Sequence, residues 1–347
     1  MLTHAEVERI LTGYDLGQLR NMTTATRGYV NETAFIHTTE GRFVLRRSHR
    51  RLNEEQQRYR HALIAWLYRH DFPVPPLIPA KNGDTLQVQN GRYIEVMQFV
   101  PGGDFDQDNP NHLWSAGRVL AQMHNLLEDY PKPPDNVHPR YIPEHALRLI
   151  EIVLERDVMG DLAEPLIWYD RRAARLRKVL SEEMYSTLPK VVIHGDVHRD
   201  NFLFSHSDIT AVLDYDQVSW QSPIADLADA LVAFASEPKT KGLVNTWGVF
   251  TGPLNRSHAL DIITAYHSVR PLSVSDLTNL LNTLEVIWLH GELGRVVSTP
   301  EGAPEYHEAV LGQGRQLLDD LDRQRDAILT EWQQQCSELD LAEPVAA

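Results

Sequence analysis

The residues that could do chemistry cluster in two short runs. Asp196 and Asn201 follow the apolar triplet Val191-Val-Ile193, and Asp214 and Asp216 follow Val212-Leu213. Each apolar run reads as a short buried strand that delivers acidic or amide groups at its end. Oxygen donors of this kind suit Mg²⁺ bound together with a nucleotide's phosphates, not zinc or copper. Asp196 can orient a hydroxyl and accept its proton. Asn201 and Asp214 can share the metal and help spread the charge that develops on a transferred phosphoryl group. The competing reading is a polar loop whose Asp, Asn and His serve turn chemistry alone. The combination favours phosphoryl transfer.

Elements must exist to carry these groups. Residues 3–13 pattern as a short amphipathic helix, with Thr3 as N-cap and Glu6 as its capping-box partner. Alternation in Tyr29–Thr38 and in Phe43–Arg47, joined at Thr39-Glu-Gly41, predicts paired strands. The connection Arg27-Gly28-Tyr29 can lay backbone N–H groups over phosphates, although an ordinary hairpin turn explains a single glycine as well. Arg46 ends an apolar triplet. Its guanidinium either clamps phosphates bidentately or sits as a solvated strand end. Leu52–His70 reads as a helix with Leu63, Ile64, Trp66 and Leu67 on one side, stopped by Pro73-Val-Pro-Pro76. Strands follow at 85–89 and 93–100 around the turn Asn90-Gly91. Pro101-Gly-Gly103 ends the β pattern, and helices are expected at 113–127, 143–156, 163–180, 181–187 and 225–235. Several more run to about Gln335, and the tail 341–347 is expected to fray. The pattern is α+β, with a β-rich part over 1–100 and a helix-rich part over 101–347.

Composition narrows the classes. The chain has 347 residues, 42% of them apolar and 23% charged, enough for two domains with buried cores. A net charge of −15 argues against nucleic acid or an anionic membrane as partner. One cysteine, Cys336, excludes an internal disulfide and fits a reducing cytoplasm. The N-terminus lacks a signal-peptide core, and no apolar run is long enough to span a bilayer. The expectation is a cytoplasmic protein, for which a homodimer is compatible with the sequence.

The segment His194-Gly-Asp-Val-His-Arg-Asp-Asn201, followed by Leu213-Asp-Tyr-Asp216, resembles the catalytic segment of the aminoglycoside phosphotransferase/choline kinase family, small-molecule relatives of the protein kinases. Five specified positions would match by chance in a chain of this length about once in ten thousand. The resemblance implies a protein-kinase-like fold of two lobes, a small antiparallel-sheet lobe and a larger, mainly helical one, with ATP and Mg²⁺ in the cleft between. It implies that Asp196 is the catalytic base, that Asn201 and Asp214 are metal ligands with Asp216 as a lesser candidate, and that His198 touches the γ-phosphate. His194 would hold the loop. Pro223-Ile-Ala-Asp-Leu-Ala228 is similar to a family segment whose aspartate, here Asp226, anchors the catalytic loop. Gly28 and Asn31 would belong to the phosphate-covering loop. Arg46 would take the place of a nucleotide lysine, paired with Glu54 or Glu55. Gln98 to Val100 would be the hinge that meets adenine.

The acceptor is less legible. The segments Arg199-Asp-Asn201 and Ala265–Ser273 are similar to type II homoserine kinases, whereas Asp214-Tyr-Asp-Gln217 departs from them. Trp220, Glu285, Trp288 and His290 either bind an amine-bearing substrate or are packing and surface residues. The leading expectation is a kinase acting on a small-molecule hydroxyl, that of an amino alcohol, homoserine-like compound, aminoglycoside or sugar. Two alternatives stand beside it, a bacterial serine/threonine protein kinase and a nucleotide-binding pseudokinase-like protein. The short stretch between Asp216 and Pro223, with no Ala-Pro-Glu-type ending, favours the small-molecule reading. The intact Asp196, Asn201 and Asp214 disfavour the pseudokinase.

Overall fold

The computed structural model describes residues 2–25, 31–48, 53–134, 141–157, 160–237, 252–298 and 304–342. The chain divides into two units. One comprises Met1–Asp104, Lys132–Asn136 and Asn201–Val218; the other comprises Phe105–Pro131, Val137–Asp200 and Ser219–Ala347.

The first unit is built on a five-stranded antiparallel sheet of order β1-β2-β3-β5-β4, from β1 (Leu19–Thr24), β2 (Asn31–Thr38), β3 (Arg42–Ser48), β4 (Gln87–Gln89) and β5 (Arg92–Gln98). Asn90 and Gly91 both take positive φ, 53° and 72°, the left-handed pair that a two-residue hairpin requires. Period-two alternation gives the sheet two different faces. Ala34, Ile36, Leu45, Ile94 and Val96 form a core with Val7, Ile10 and Leu11 of α1 (His4–Leu11). The capping box expected at Thr3 and Glu6 is present. On the other face, Val44 and Arg46 of β3 stand opposite Met97 and Glu95 of β5. Helix α2 (Glu54–Arg69), capped by Asn53, brings Arg60 and His61 to that polar face. The hairpin of β7 (Phe202–Ser205) and β8 (Asp208–Val212) completes the unit. Gly103 and Phe204 exchange both backbone bonds, and the Val212 N–H donates to the Pro73 carbonyl.

The second unit is helical. It holds α3 (Pro110–Leu126), α4 (Pro143–Arg156), α5 (Ala163–Leu176), α6 (Glu182–Thr187), α7 (Pro223–Phe234), α8 (Arg256–His267), α9 (Val274–Ser298) and α10 (Pro304–Ala342). A short antiparallel pair, β6 (Val191–Ile193) with β9 (Ser219–Gln221), lies among them. Every residue of α7 is buried, as its Ala- and Leu-rich sequence demands. A Cβ at Gly117 would collide with the Ile262 carbonyl, so glycine lets α3 approach α8 backbone to backbone. Several boundaries differ from the sequence reading. The helix begun at 163 ends at Leu176, α10 runs past Gln335 to Ala342, and strand β8 stops at Val212. The strand stops there because Asp214 turns left-handed, at φ 58° and ψ 76°. The end of the tail, 343–347, lies outside the described residues. Among the described residues no helix is long and apolar enough to cross a membrane.

Candidate active site

In the helical unit, strand β6 runs into Gly195, whose φ of 76° suits a residue without a Cβ and turns the chain sharply. Asp226, fully buried in the first turn of α7, takes the next two backbone donors. The His194 N–H donates to its Oδ2 at 2.7 Å and the Gly195 N–H to its Oδ1 at 2.8 Å. His124 of α3 lies 3.2 Å from the same Oδ2 and contacts the Tyr266 hydroxyl at 2.9 Å with its other nitrogen. Burial works to raise the Asp226 carboxyl, but the His124 hydrogen bond and charge outweigh it and hold the group below its ordinary range. Burial pushes His124 down in turn. The Asp196 N–H donates to His194 Nδ1 at 3.2 Å, so the His194 ring holds the loop's backbone while Asp226 holds the backbone of His194. Asp196 and His198 face each other at 3.6 Å, both partly exposed. Arg199 closes the turn by donating through Nε to the Ala233 carbonyl at the end of α7 and stacking over Phe105.

In the sheet unit, the Leu213 N–H donates to the Asn201 carbonyl at 2.8 Å. That bond sets the backbone of Asn201 beside Leu213, with Asp214 directly after it. Asn201 is buried, whereas the Asp214 side chain is 42% exposed. Arg46 meets Asp214 through Nη2 at 3.1 Å, and the same guanidinium donates to Glu95 Oε1 at 3.3 Å and to both oxygens of Asp216. Arg60 grips the same two acids from α2, reaching Asp216 Oδ1 at 2.5 Å and Glu95 Oε2. His61 Nε2 lies 2.7 Å from Glu95 Oε2, and Asn31 Nδ2 donates to Asp216 Oδ2 at 2.9 Å. Burial alone would raise Glu95. Arg60, the His61 hydrogen bond and Arg46 overcome that and hold its carboxyl far below the usual range. Asp216 is depressed the same way, with Arg60 and Arg46 overcoming burial.

Several expectations change here. The carboxylates on Arg46, among the described residues, are Glu95, Asp214 and Asp216, and not Glu54 or Glu55; Glu54 pairs with Arg58 one turn along its own helix. Helix α2 offers cations at the level of Glu95, so the carboxylate comes from strand β5. Asn31 spends its amide on Asp216. The Gln98 N–H donates to the Pro76 carbonyl and the Phe99 N–H to that of Arg42. Gly28 lies outside the described residues. Glu285 is fully buried and held by Arg172, Arg175 and Arg325, which removes it as an amine binder; Trp288 is buried as well. Sequence reasoning missed Arg60, His61 and Glu95. A signal existed: Arg60 continues the buried stripe of Leu63, Ile64 and Leu67 one turn earlier, and Glu95 sits between the apolar Ile94 and Val96.

Among the described residues no group of three or more His, Cys, Asp and Glu is arranged to hold a metal alone. Magnesium does not need one, since it keeps waters and takes one or two protein oxygens beside phosphates. The half-exposed Asp214 carboxylate, next in sequence to the Leu213 whose N–H bonds the Asn201 carbonyl, fits that donor set. Asp216, gripped by two guanidiniums, does not.

The model of the phosphotransferase enzyme family matches residues 21–272. A homoserine kinase of Cupriavidus pinatubonensis is 28% identical over 285 residues, covering 79% of this chain and 80% of that protein. Among solved structures, the amicoumacin kinase hAmiN in complex with AMP-PNP, Ca²⁺ and Ami superposes with a TM-score of 0.67 at 15% identity, covering 92% of this chain and 94% of that one. A microcompartment-associated aminopropanol kinase gives 0.65 at 17% identity, covering 94% and 98%. These likenesses show a protein-kinase-like fold.

Proposed function

The chain belongs to the phosphotransferase enzyme family and is a kinase acting on a hydroxyl; on that premise we propose that it moves the γ-phosphate of ATP to a small-molecule alcohol, amino alcohols including homoserine foremost. Asp196 accepts a hydrogen bond from the acceptor hydroxyl and takes its proton as the oxygen attacks phosphorus and the bond to the ADP oxygen breaks. Asn201 and Asp214 hold Mg²⁺, which when bound offsets charge on the phosphates. Arg46 binds phosphate oxygens, and His198 contacts the transferred group. Gly28 and Asn31 belong to the segment covering the nucleotide, and Val100 offers the hinge N–H that Gln98 has spent. His194 and Asp226 fix the backbone that carries Asp196.

The observation that supports this reading most is the half-exposed Asp214 carboxylate bonded by Arg46, one residue after the Leu213 N–H that donates to the Asn201 carbonyl. Only six residues separate Asp216 from α7, and β9 occupies three of them, which leaves little room for a peptide-binding activation segment. The test is Mg²⁺-dependent ADP release across homoserine, aminopropanol, choline, aminoglycosides, hexoses and a generic protein. Turnover with a small alcohol is expected. Turnover with the protein alone, or nucleotide binding without any turnover, would sink the proposal.

A further inference from the structure

Arg46, Glu95, Arg60 and Asp216 close a ring in which two guanidiniums alternate with two carboxylates. Arg46 Nη1 reaches Glu95 Oε1 and Asp216 Oδ1 at 3.3 and 3.1 Å, and Arg60 reaches the other Glu95 oxygen and Asp216 Oδ1 from α2. The side chains of Arg60 and Glu95 are 6% and 5% exposed, and that of Arg46 11%. Gln57 accepts from Arg60 at 2.7 Å, His61 holds Glu95, and Asn31 holds Asp216. Formal charge balances inside the ring, two positive and two negative. Asp214 hangs outside it, joined to the ring's guanidiniums by one bond from Arg46 Nη2.

We propose that Arg60 and Glu95 are positioning residues for nucleotide binding: the ring fixes the plane of the Arg46 guanidinium, so that the Nη2 hydrogen now on Asp214 is held ready to be traded to a phosphate oxygen. The inference rests on the phosphotransferase reading above. A planar fork held along one edge keeps the remaining donor preorganised, which lowers the ordering cost of gripping an anion. Arg60 also ties α2 to both acids, so the helix is part of the phosphate grip without touching phosphate. A helix carboxylate is not needed, because β5 supplies the counter-charge.

The experiment measures Mg·AMP-PNP binding by calorimetry and steady-state kinetics on the best acceptor, for the parent, Arg60→Met, Arg60→Lys and Glu95→Gln, with thermal melts alongside. Arg60→Met and Glu95→Gln should weaken Mg·AMP-PNP and raise the KM for ATP by about 10- to 100-fold, the range typical when the outer partners of a binding group are lost. The kcat should move little, and Arg60→Lys should restore part of the loss. If Arg60→Met does not fold, Arg60→Lys carries the test, with a KM rise and an unchanged melt expected. Variants that melt lower yet bind Mg·AMP-PNP as the parent does would overturn the positioning role while leaving the kinase reading intact. A parent that binds no Mg·AMP-PNP would overturn both.

Discussion

Two arginine–carboxylate networks, one in each unit, invite comparison. In the sheet unit, Arg46 and Arg60 share Glu95 and Asp216. In the helical unit, Arg172, Arg175 and Arg325 share Glu285, and Arg172 and Arg175 also hold Asp322. Their chemistry is the same and their surroundings differ. The helical network joins α5, α9 and α10 and reaches solvent at Arg175, whose side chain is 53% exposed. The sheet network extends to Asp214, whose carboxylate is half exposed on a left-handed backbone. Buried ion pairs are weak evidence for either stability or function on their own. What separates the two is the charge at the solvent-facing edge: a guanidinium, Arg175, in the helical network and the Asp214 carboxylate in the sheet network.

The contrast can be broken at several points. Glu285→Ala leaves three guanidiniums facing no carboxylate oxygen at that position and should cost about 3–5 kcal/mol in urea unfolding, with the KM for ATP unchanged; a shifted KM at full stability would erase the distinction. Asp214→Asn should lower Mg²⁺-dependent turnover about a hundredfold, or roughly 2.7 kcal/mol, and weaken Mn²⁺ binding read by electron paramagnetic resonance, while the melt stays put. The pH dependence should differ between units. His124 is depressed by burial from 6.5, so the unfolded chain takes the proton first. Its stabilising contribution is present above that value and falls away as pH drops below it, by at most about 1.4 kcal/mol per pH unit. Glu95 is depressed from 4.5, so its contribution is lost only below that. Melts from pH 7 to 5 should therefore fall in the parent and fall less steeply in His124→Gln. Thr3→Ala, outside both networks, should cost about 1 kcal/mol through the lost cap, with kinetics unmoved.

Most elements were legible because they follow from local pattern. The capping box at Thr3, the Asn90-Gly91 turn and helix 143–156 depend on residues adjacent in sequence. The partners of Arg46 were not, because they lie far along the chain: Glu95 faces it from strand β5, and Asp216 arrives from the turn after β8. The resemblance implied a partner on α2, Glu54 or Glu55. That helix instead brings Arg60 and His61 to Glu95, and a strand glutamate stands in for a helix one. Only the sheet register, which puts Arg46 directly opposite Glu95, resolves the substitution.

The left-handed turn at Asp214 has an evolutionary consequence. Asparagine shares with aspartate a tolerance for that backbone that most other side chains lack. Position 214 can therefore lose its charge in one step and keep its shape, so on the proposed metal role a folded chain with little turnover lies a single Asp214→Asn substitution away.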